Sequence, residues 1–327
     1  GKTVRFGPDS AYGKVTPYVE MVELARAMGR GDVDVLLLGP GVNPAFTLPG
    51  GLKFADAVRK VGLVVSFANQ PDDTTALAHV ILPDTHWLES WGDYAPRKGV
   101  LGLLQPTMAP VRDAKQMGDA LLGIARAVLG TEEGRGPLPW TTFEQYLKAQ
   151  WAPVVKANWA AALQQGGAWK DVAAAAVTAK TAAVDQAPAK LEGEAGGFVL
   201  LPYPSLRFYD GRGATRAWLQ ETPDTMTQAV WDAWVEIATE TAATLGIAQG
   251  DVVKVSSPHG AIELPAYVSP TLHPQAVAVP IGHRYASYHV PRYVAASPGG
   301  ANPMALLGPA ADPASGGAAF LSVRVTL

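Results

Sequence analysis

The stretch AHVILPDTHWLESWGDYAPRKGV (Ala78–Val100) decides how this chain is read. His79-Val80-Ile81-Leu82 is an apolar strand that stops at Pro83. The chain then enters a polar loop carrying Asp84, His86, Glu89, Trp91, Gly92 and Asp93. Open α/β sheets place their ligand crevices in this way, beyond the carboxyl end of a strand. The stretch therefore predicts such a sheet, with a crevice where this strand ends.

Working outward, residues 1–130 alternate strand and helix patterns. Val15–Met28 carries apolar residues at helical spacing and stops at Gly29. Asp34–Leu38 (DVLLL) reads as a buried strand closed by Gly39-Pro40-Gly41, and Phe54–Lys60 reads as a helix. Leu63–Phe67 (LVVSF) is a second strand, Asp72–Leu77 a short helix with Asp72 or Asp73 as N-cap, and Val80–Leu82 a third strand. Gln116–Leu129 is a helix ending at Gly130. Apolar strands alternating with helices predict a parallel sheet covered on both faces.

Residues 131–227 break that rhythm and read as a helical, Ala-rich insert and connector. Thr142–Leu163 looks like one helix, with Phe143, Tyr146, Leu147 and Trp151 on one face and Gly166-Gly167 ending it. Asp171–Lys190 is almost all Ala, Lys, Thr and Val and reads as a partly ordered linker; Phe198–Tyr203 is a strand. Residues 228–327 change class. Trp234–Ile237, Val252–Ser256, Ala261–Val268, Ala276–Pro280 and Phe320–Val325 are short strands separated by Gly, Pro and Asp, with one helix that Thr239 caps and Gly246 closes. Gln249-Gly250-Asp251 is a tight turn. Short strands at this spacing predict a small β-barrel.

Bulk numbers fit that division. A chain of 327 residues with 48% hydrophobic content can bury the cores of two domains, or two and an insert. A net charge of -3 offers no basic face, which leaves nucleic-acid binding without electrostatic support. The absence of cysteine removes disulfides, thiolate zinc sites and iron–sulfur ligation by this chain. No apolar run approaches the roughly 18 residues of a membrane span. The opening Gly1-Lys2-Thr3 has neither Met nor an apolar signal core and reads as a piece cut from something longer.

The order of motifs is more specific than any one of them. LLLGPGVNPAFTLP, then VVSFANQPDDTTALAHVILPDTHWLESWGD, LQETPDTMTQAVWDAWVEI and TAATLGIAQGDVVKVSSPHGAIELPAYV together resemble the C-terminal half of the molybdopterin oxidoreductases of the dimethyl-sulfoxide-reductase type. The resemblance covers about residues 15–130 and 200–327. Within it, LESWGDYAPRKGVLGLLQPTMAP is most similar to the molybdopterin-like part of the large iron–sulfur subunit of alternative complex III. Glu89 and Gly92 are kept where family catalysts carry a Glu and a Gly, but Asp93-Tyr94-Ala95-Pro96-Arg97 replaces the Thr-Asn-type stretch that follows in them.

The resemblance implies an α/β (Rossmann-like) domain at 1–130, the insert, and a double-psi β-barrel at 228–327. It also implies a scaffold whose relatives have lost the molybdenum cofactor, so that no cofactor is expected in this chain. Iron–sulfur clusters would lie in the missing or partner regions. Its partners would be an N-terminal half, a ferredoxin-like part, and haem c and membrane quinol-binding subunits, on the outer (periplasmic) face of the cytoplasmic membrane. The alternative it leaves open is the pterin-dinucleotide-binding half of an active molybdenum oxidoreductase, of the polysulfide, thiosulfate or tetrathionate reductase type. The cofactor would then be molybdopterin guanine dinucleotide.

Each candidate residue has a structural reading beside the functional one. Asn43, in Gly39-Pro40-Gly41-Val42-Asn43-Pro44, either bonds a ligand in the crevice or sits extended before Pro44 in a turn. Asp72-Asp73 matches where active relatives present acidic residues to the guanosine end of the cofactor, or else caps a helix. His283, Arg284, His289 and Asn302 lie in a Gly/Pro-rich return near the barrel; Arg284 and Asn302 either face the domain interface, where a phosphate would lie, or make barrel-loop polar contacts or contacts to the missing half, and PGGANPMALL resembles the segment whose Asn touches the pterin. His86, Glu89 and Asp93 have metal-like spacing only on a helix, which Pro83 and Gly92 disfavour. There Glu89 and Asp93 are expected to hold loop backbone while Trp87 and Trp91 pack between domains. His259 is expected in a hairpin turn.

Overall fold

A helix begins directly after Pro17, which cannot continue one from its amino side, and runs through Tyr18–Arg30 (α1). Gly29 lies inside it. The stop falls at Gly31, whose left-handed φ of 82° lets the Gly31 and Asp32 N–H groups return to the Met28 and Ala27 carbonyls. The structure is a computed structural model that describes residues 7–11, 15–130, 136–156, 158–174, 177, 191–283, 302–313 and 315–327. Most of the Asp171–Lys190 linker therefore lies outside the described residues.

The chain divides into two compact units. One comprises Pro17–Val65, Gln70–Val80 and Asp185–Leu327, the other Gly1–Thr16, Ser66–Asn69 and Ile81–Val184. In the first, β1 (Val35–Leu38) is followed by α2 (Pro44–Thr47), α3 (Phe54–Val58) and β2 (Leu63–Ser66), whose last residue crosses the division, as does that of β3 (Val80–Ile81). The strands lie in the order β1-β2-β3. The Leu63 N–H reaches Asp34 O and the His79 N–H reaches Val64 O, so the pairings climb in the same sense and the sheet is parallel. Met28, Leu36, Leu38, Phe54, Val58 and Val64 pack one face. The other face departs from expectation. Val35 and Leu37 remain 52% and 54% exposed, so among the described residues this sheet is covered on one side only.

The second unit corrects the reading of the 78–100 stretch. Asp93–Arg97 is not loop: Gly92–Arg97 (β4) pairs antiparallel with Val100–Leu104 (β5), and β5 with Gly167–Trp169 (β6). Pro96 is tolerated because β4 is an edge of this sheet and its register shifts between Tyr94 and Arg97. The long helix expected over Thr142–Leu163 is two. After Met117–Leu129 (α4), α5 (Phe143–Val155) ends at Lys156 in left-handed conformation, and α6 (Trp159–Gln165) restarts from an Asn158 cap. Pro153 in the last turn of α5 removes a backbone donor there. Trp151 is almost fully buried against Leu103, Ala162 and Trp159.

The remaining strands belong to the first unit: β7 (Phe198–Pro204), then, beyond α7 (Ala217–Glu221), β8 (Val235–Ala238), α8 (Thr239–Leu245), β9 (Val252–Ser257), β10 (Gly260–Ser269), β11 (Ala276–Ile281) and β12 (Arg324–Val325). They run β12-β7-β11-β8-β10-β9. Paired N–H to C=O bonds of 3.0 Å between Ser256 and Thr326 join the two ends and close the ring. β7, which falls outside the 228–327 span, is therefore a member of this barrel. β7·β11 and β8·β10 are parallel, the other pairings antiparallel. Ile237, Ile262, Leu264 and Leu306 are at most 1% exposed inside it; burying such a side chain stabilises by about 1.5–3 kcal/mol. Ala238, not Thr239, is the N-cap of α8, with no side-chain cap bond. His259 lies in the two-residue β9–β10 turn as expected.

Candidate functional site

At the carboxyl end of β1 the chain turns through Gly39-Pro40-Gly41, with Gly41 at a φ of 69° that favours glycine. A cavity of about 910 Å³ opens there, wholly within the first unit. Met21 and Leu24 of α1, Leu37 and Leu38 of β1 and Leu48 after α2 form one side; Pro202 and Pro204 of β7, Ile281 of β11, Met304 and Phe320 form the other. The polar lining comes from Asn43, Thr47, Tyr209, Asp210 and Arg212. Arg212 donates to Asp210 through Nε at 2.8 Å and Nη2 at 2.7 Å. Burial works against ionisation of Asp210, but the hydrogen bonds and charge of Arg212 outweigh it and hold the carboxyl below its ordinary pKa. The lining cation is thus neutralised where it stands.

Three of the candidate residues converge on the short helix α2. Asn43 is its N-cap residue, and Asn43 Oδ1 accepts from the Thr74 N–H at 3.1 Å and the Thr74 hydroxyl at 2.7 Å. The same hydroxyl oxygen accepts from the Ala45 N–H. Asp72 Oδ1 takes the Thr74 and Thr75 N–H groups at 2.9 and 2.7 Å, the capping geometry. Burial is the largest influence on Asp72 and raises its pKa; the Thr75 and Thr74 bonds oppose it. Asn302 donates from Nδ2 to Phe46 O of α2 at 2.6 Å and accepts the Met304 N–H on Oδ1. Both ends of the Asn302 amide and the near oxygen of Asp72 are therefore occupied by the protein. Asn43 differs. Its Nδ2 is buried and has no hydrogen-bond partner among the described residues, an arrangement that costs roughly 1–3 kcal/mol.

The other candidates lie elsewhere. His283 is 1% exposed, its ring 4.8 Å from Phe208 and 5.1 Å from Trp234. Arg284 and His289 lie outside the described residues. His86 caps the 3₁₀ turn Trp87–Glu89, Glu89 accepts from the His86 and Val111 N–H groups as expected of a backbone-holding carboxylate, and Asp93 accepts from Trp151 Nε1 at 2.8 Å. Asp93 thus holds an indole rather than loop backbone. Trp91 lies 6.1 Å from Trp159 in its own unit, and Trp87 is 61% exposed rather than packed. Thr74, Tyr209, Asp210 and Arg212 were missed in the sequence. Asp210-Gly211 is a turn signal that marks the loop, but nothing in the local pattern says it lines a cavity.

Comparisons with known proteins agree with this architecture. Residues 209–324 match the family described as Molydopterin dinucleotide binding domain. The chain is 27% identical over 93% of its length to the menaquinone reductase molybdopterin-binding-like subunit of Nitratidesulfovibrio vulgaris, covering 43% of that protein. It is 24% identical over 83% of its length to NADPH-Fe(3+) oxidoreductase subunit alpha of Geobacter sulfurreducens, covering 30% of it. Acetylene hydratase from Pelobacter acetylenicus superposes with a TM-score of 0.71 at 16% identity, over 93% of this chain and 45% of that one, a likeness of fold. The chain thus spans less than half the length of each.

The two phosphates of a pterin dinucleotide call for cations and a run of N–H donors. Among the described residues the lining brings one cation, Arg212, which bonds Asp210, and the backbone of Gly39, Gly41 and Val42, while Pro44 has no N–H to give and most of the remaining wall is aliphatic or aromatic.

Proposed function

We propose that this chain, a C-terminal part of the molybdopterin oxidoreductase family, acts as a cofactor-free scaffold in a membrane quinol-oxidising electron-transfer complex of the alternative complex III type. What carries the reading is the lining of the cavity beyond β1, where the described charged groups, Asp210 and Arg212, are bonded to each other. Asp93–Arg97, in place of a cofactor-binding stretch, forms a sheet edge instead, which also supports it. The relative named as a molybdopterin-binding-like subunit of a menaquinone reductase favours a quinone-linked complex. In this reading the chain performs no chemistry. Electrons pass through iron–sulfur clusters and haems held by other parts of the subunit and by haem c and quinol-binding partners, on the periplasmic face. The two parallel pairs, β7·β11 and β8·β10, favour a double-psi arrangement of the barrel.

A second reading keeps the pterin dinucleotide, and the buried unpartnered Nδ2 of Asn43 favours it. Asn43 would then donate to the cofactor, with Asp72, Asn302 and Arg284 around it. When bound, that group supplies the redox chemistry, and these residues only hold and orient it. The test is metal analysis of the full-length protein together with acid oxidation to a fluorescent pterin. Less than a tenth of an equivalent of each is expected. One equivalent of molybdenum with one or two of pterin would establish the second reading.

A further inference from the structure

We infer that the outer face of the three-stranded sheet β4-β5-β6 is a docking trough for a proline-rich segment in the polyproline II conformation, with an acidic residue beside its prolines. The face belongs to the second unit alone, and the inference does not depend on whether the cavity of the first unit holds a cofactor.

Side chains alternate across a strand, which assigns the face residue by residue. Leu101, Leu103 and Ala168 pack into the Trp151 cluster, and Asp93 accepts from the Trp151 indole. Their chain neighbours point the other way. The register sets Arg97, Val100 and Trp169 in one row across the sheet, and Tyr94, Gly102 and Gly167 in the next. Glycine at the last two of these places leaves a floor of bare backbone. Tyr94 and Trp169 stand on either side of it, 67% and 56% exposed. A Cβ on Gly167 would lie 3.1 Å from Cη2 of Trp169, so the indole leans back over this glycine toward the Tyr94 row. The two aromatic walls rise from strands two apart, roughly 9–10 Å at the usual spacing.

The occupant follows from what the face offers. The β5 backbone is hydrogen-bonded to a strand on either side, so a docked chain meets aromatic rings rather than main-chain partners. A polyproline II segment needs no such partners: it has no internal hydrogen bonds, keeps its backbone in water and loses little entropy on docking. Its proline rings carry no N–H to desolvate. A β-strand would instead seek the edge of β4, which Pro96, the register shift and the bridge from Ser10 to Arg97 interrupt. A recessed floor between two walls also receives a ridge better than the plane of a bilayer. Charge sets the flank. Arg97, Lys98 and Lys170 gather at the turn end against Asp9 and Asp171, which leaves that end positive among the described residues. An acidic residue beside the prolines meets it.

The experiment titrates the full-length protein calorimetrically with a synthetic peptide of eight prolines followed by three glutamates. Saturable one-to-one binding is expected. The same peptide with alanine in place of proline should bind at least tenfold more weakly, and with lysine in place of glutamate at least threefold more weakly. Trp169→Ala and Tyr94→Ala each remove a wall and should weaken binding at least tenfold. Gly102→Val raises the floor and should weaken it to the same extent. Its Cβ meets nothing among the described residues nearer than Tyr94 O at 3.5 Å, so the sheet has room for it. If an aromatic variant does not fold, Gly102→Val alone decides. Absence of saturable binding, equal affinity for the alanine or the lysine peptide, or wild-type affinity in Gly102→Val overturns the inference. Vesicles of phosphatidylcholine and phosphatidylglycerol are the second probe. If they bind in place of the peptide, and Trp169→Ala abolishes it, the face is a membrane contact and the inference is overturned.

Discussion

Asn302 donates a hydrogen bond of 2.6 Å to the carbonyl oxygen of Phe46, a residue 256 positions earlier in the chain. Phe46 is 2% exposed and belongs to the barrel core, although it follows β1 of the parallel sheet. A single amide therefore ties the helix beside the cavity to the 3₁₀ turn Pro303–Leu306, which the same side chain caps.

Asn302→Ala removes both bonds and leaves the Phe46 carbonyl to find another donor. A loss of about 1–3 kcal/mol is expected, read as a lower midpoint in urea unfolding. Asn302→Asp retains the acceptor for Met304 but sets a carboxylate against the Phe46 carbonyl, so it should do no better than alanine. Wild-type stability in either variant would show that the contact is idle.

Asp72 makes a prediction with a definite sign. Burial raises its folded pKa, so the folded protein holds its proton more tightly than the unfolded chain does. Its contribution is fully present below about pH 4, the unfolded value, and is lost as pH rises through the higher folded value. Asp72→Asn keeps Oδ1 for the Thr74 and Thr75 N–H groups and cannot ionise. Relative to wild type, its urea midpoint should climb as pH goes from 4 to 7. A difference independent of pH would sink the assignment.

Asp93 is expected to be structural. Asp93→Ala leaves the indole N–H of nearly fully buried Trp151 without its partner and should cost about 1–3 kcal/mol. Asp93→Asn retains an oxygen acceptor and should recover most of the loss. Near-ultraviolet circular dichroism of the tryptophan bands reports whether Trp151 has moved. Equal loss in the two variants would mean that the charge matters and the hydrogen bond does not.

Local pattern carried much of the fold. Asp34–Leu38 and Gln116–Leu129 declare themselves through apolar runs and glycine stops, and the observed elements fall within a residue of them. What local pattern cannot carry is pairing at a distance. Asp93–Arg97 contains a proline and becomes a strand only because Val100–Leu104 pairs with it and Gly167–Trp169 extends the sheet. The break between Val155 and Trp159 is marked only by Pro153 and the capping Asn158, set in a stretch whose apolar and Ala-rich pattern otherwise continues as helix. At the site, Asn43 and Asp72 stood out in the sequence, but the residue that joins them, Thr74, did not, since threonine is common in turns. That Asn302 acts as a tether and not a ligand contact depends on a partner 256 residues away.

The barrel ring has a kinetic consequence. Its strands pair 198–204 with both 276–281 and 324–325, and the ring is joined by Ser256 and Thr326, so each of these closures spans long loops of chain. Their entropy is lost before the contacts can repay it, and high contact order of this kind slows folding. Until Arg324–Thr326 docks, β7 and β9 both present unpaired edges beside an apolar interior, so the ring depends on protection from aggregation while it folds.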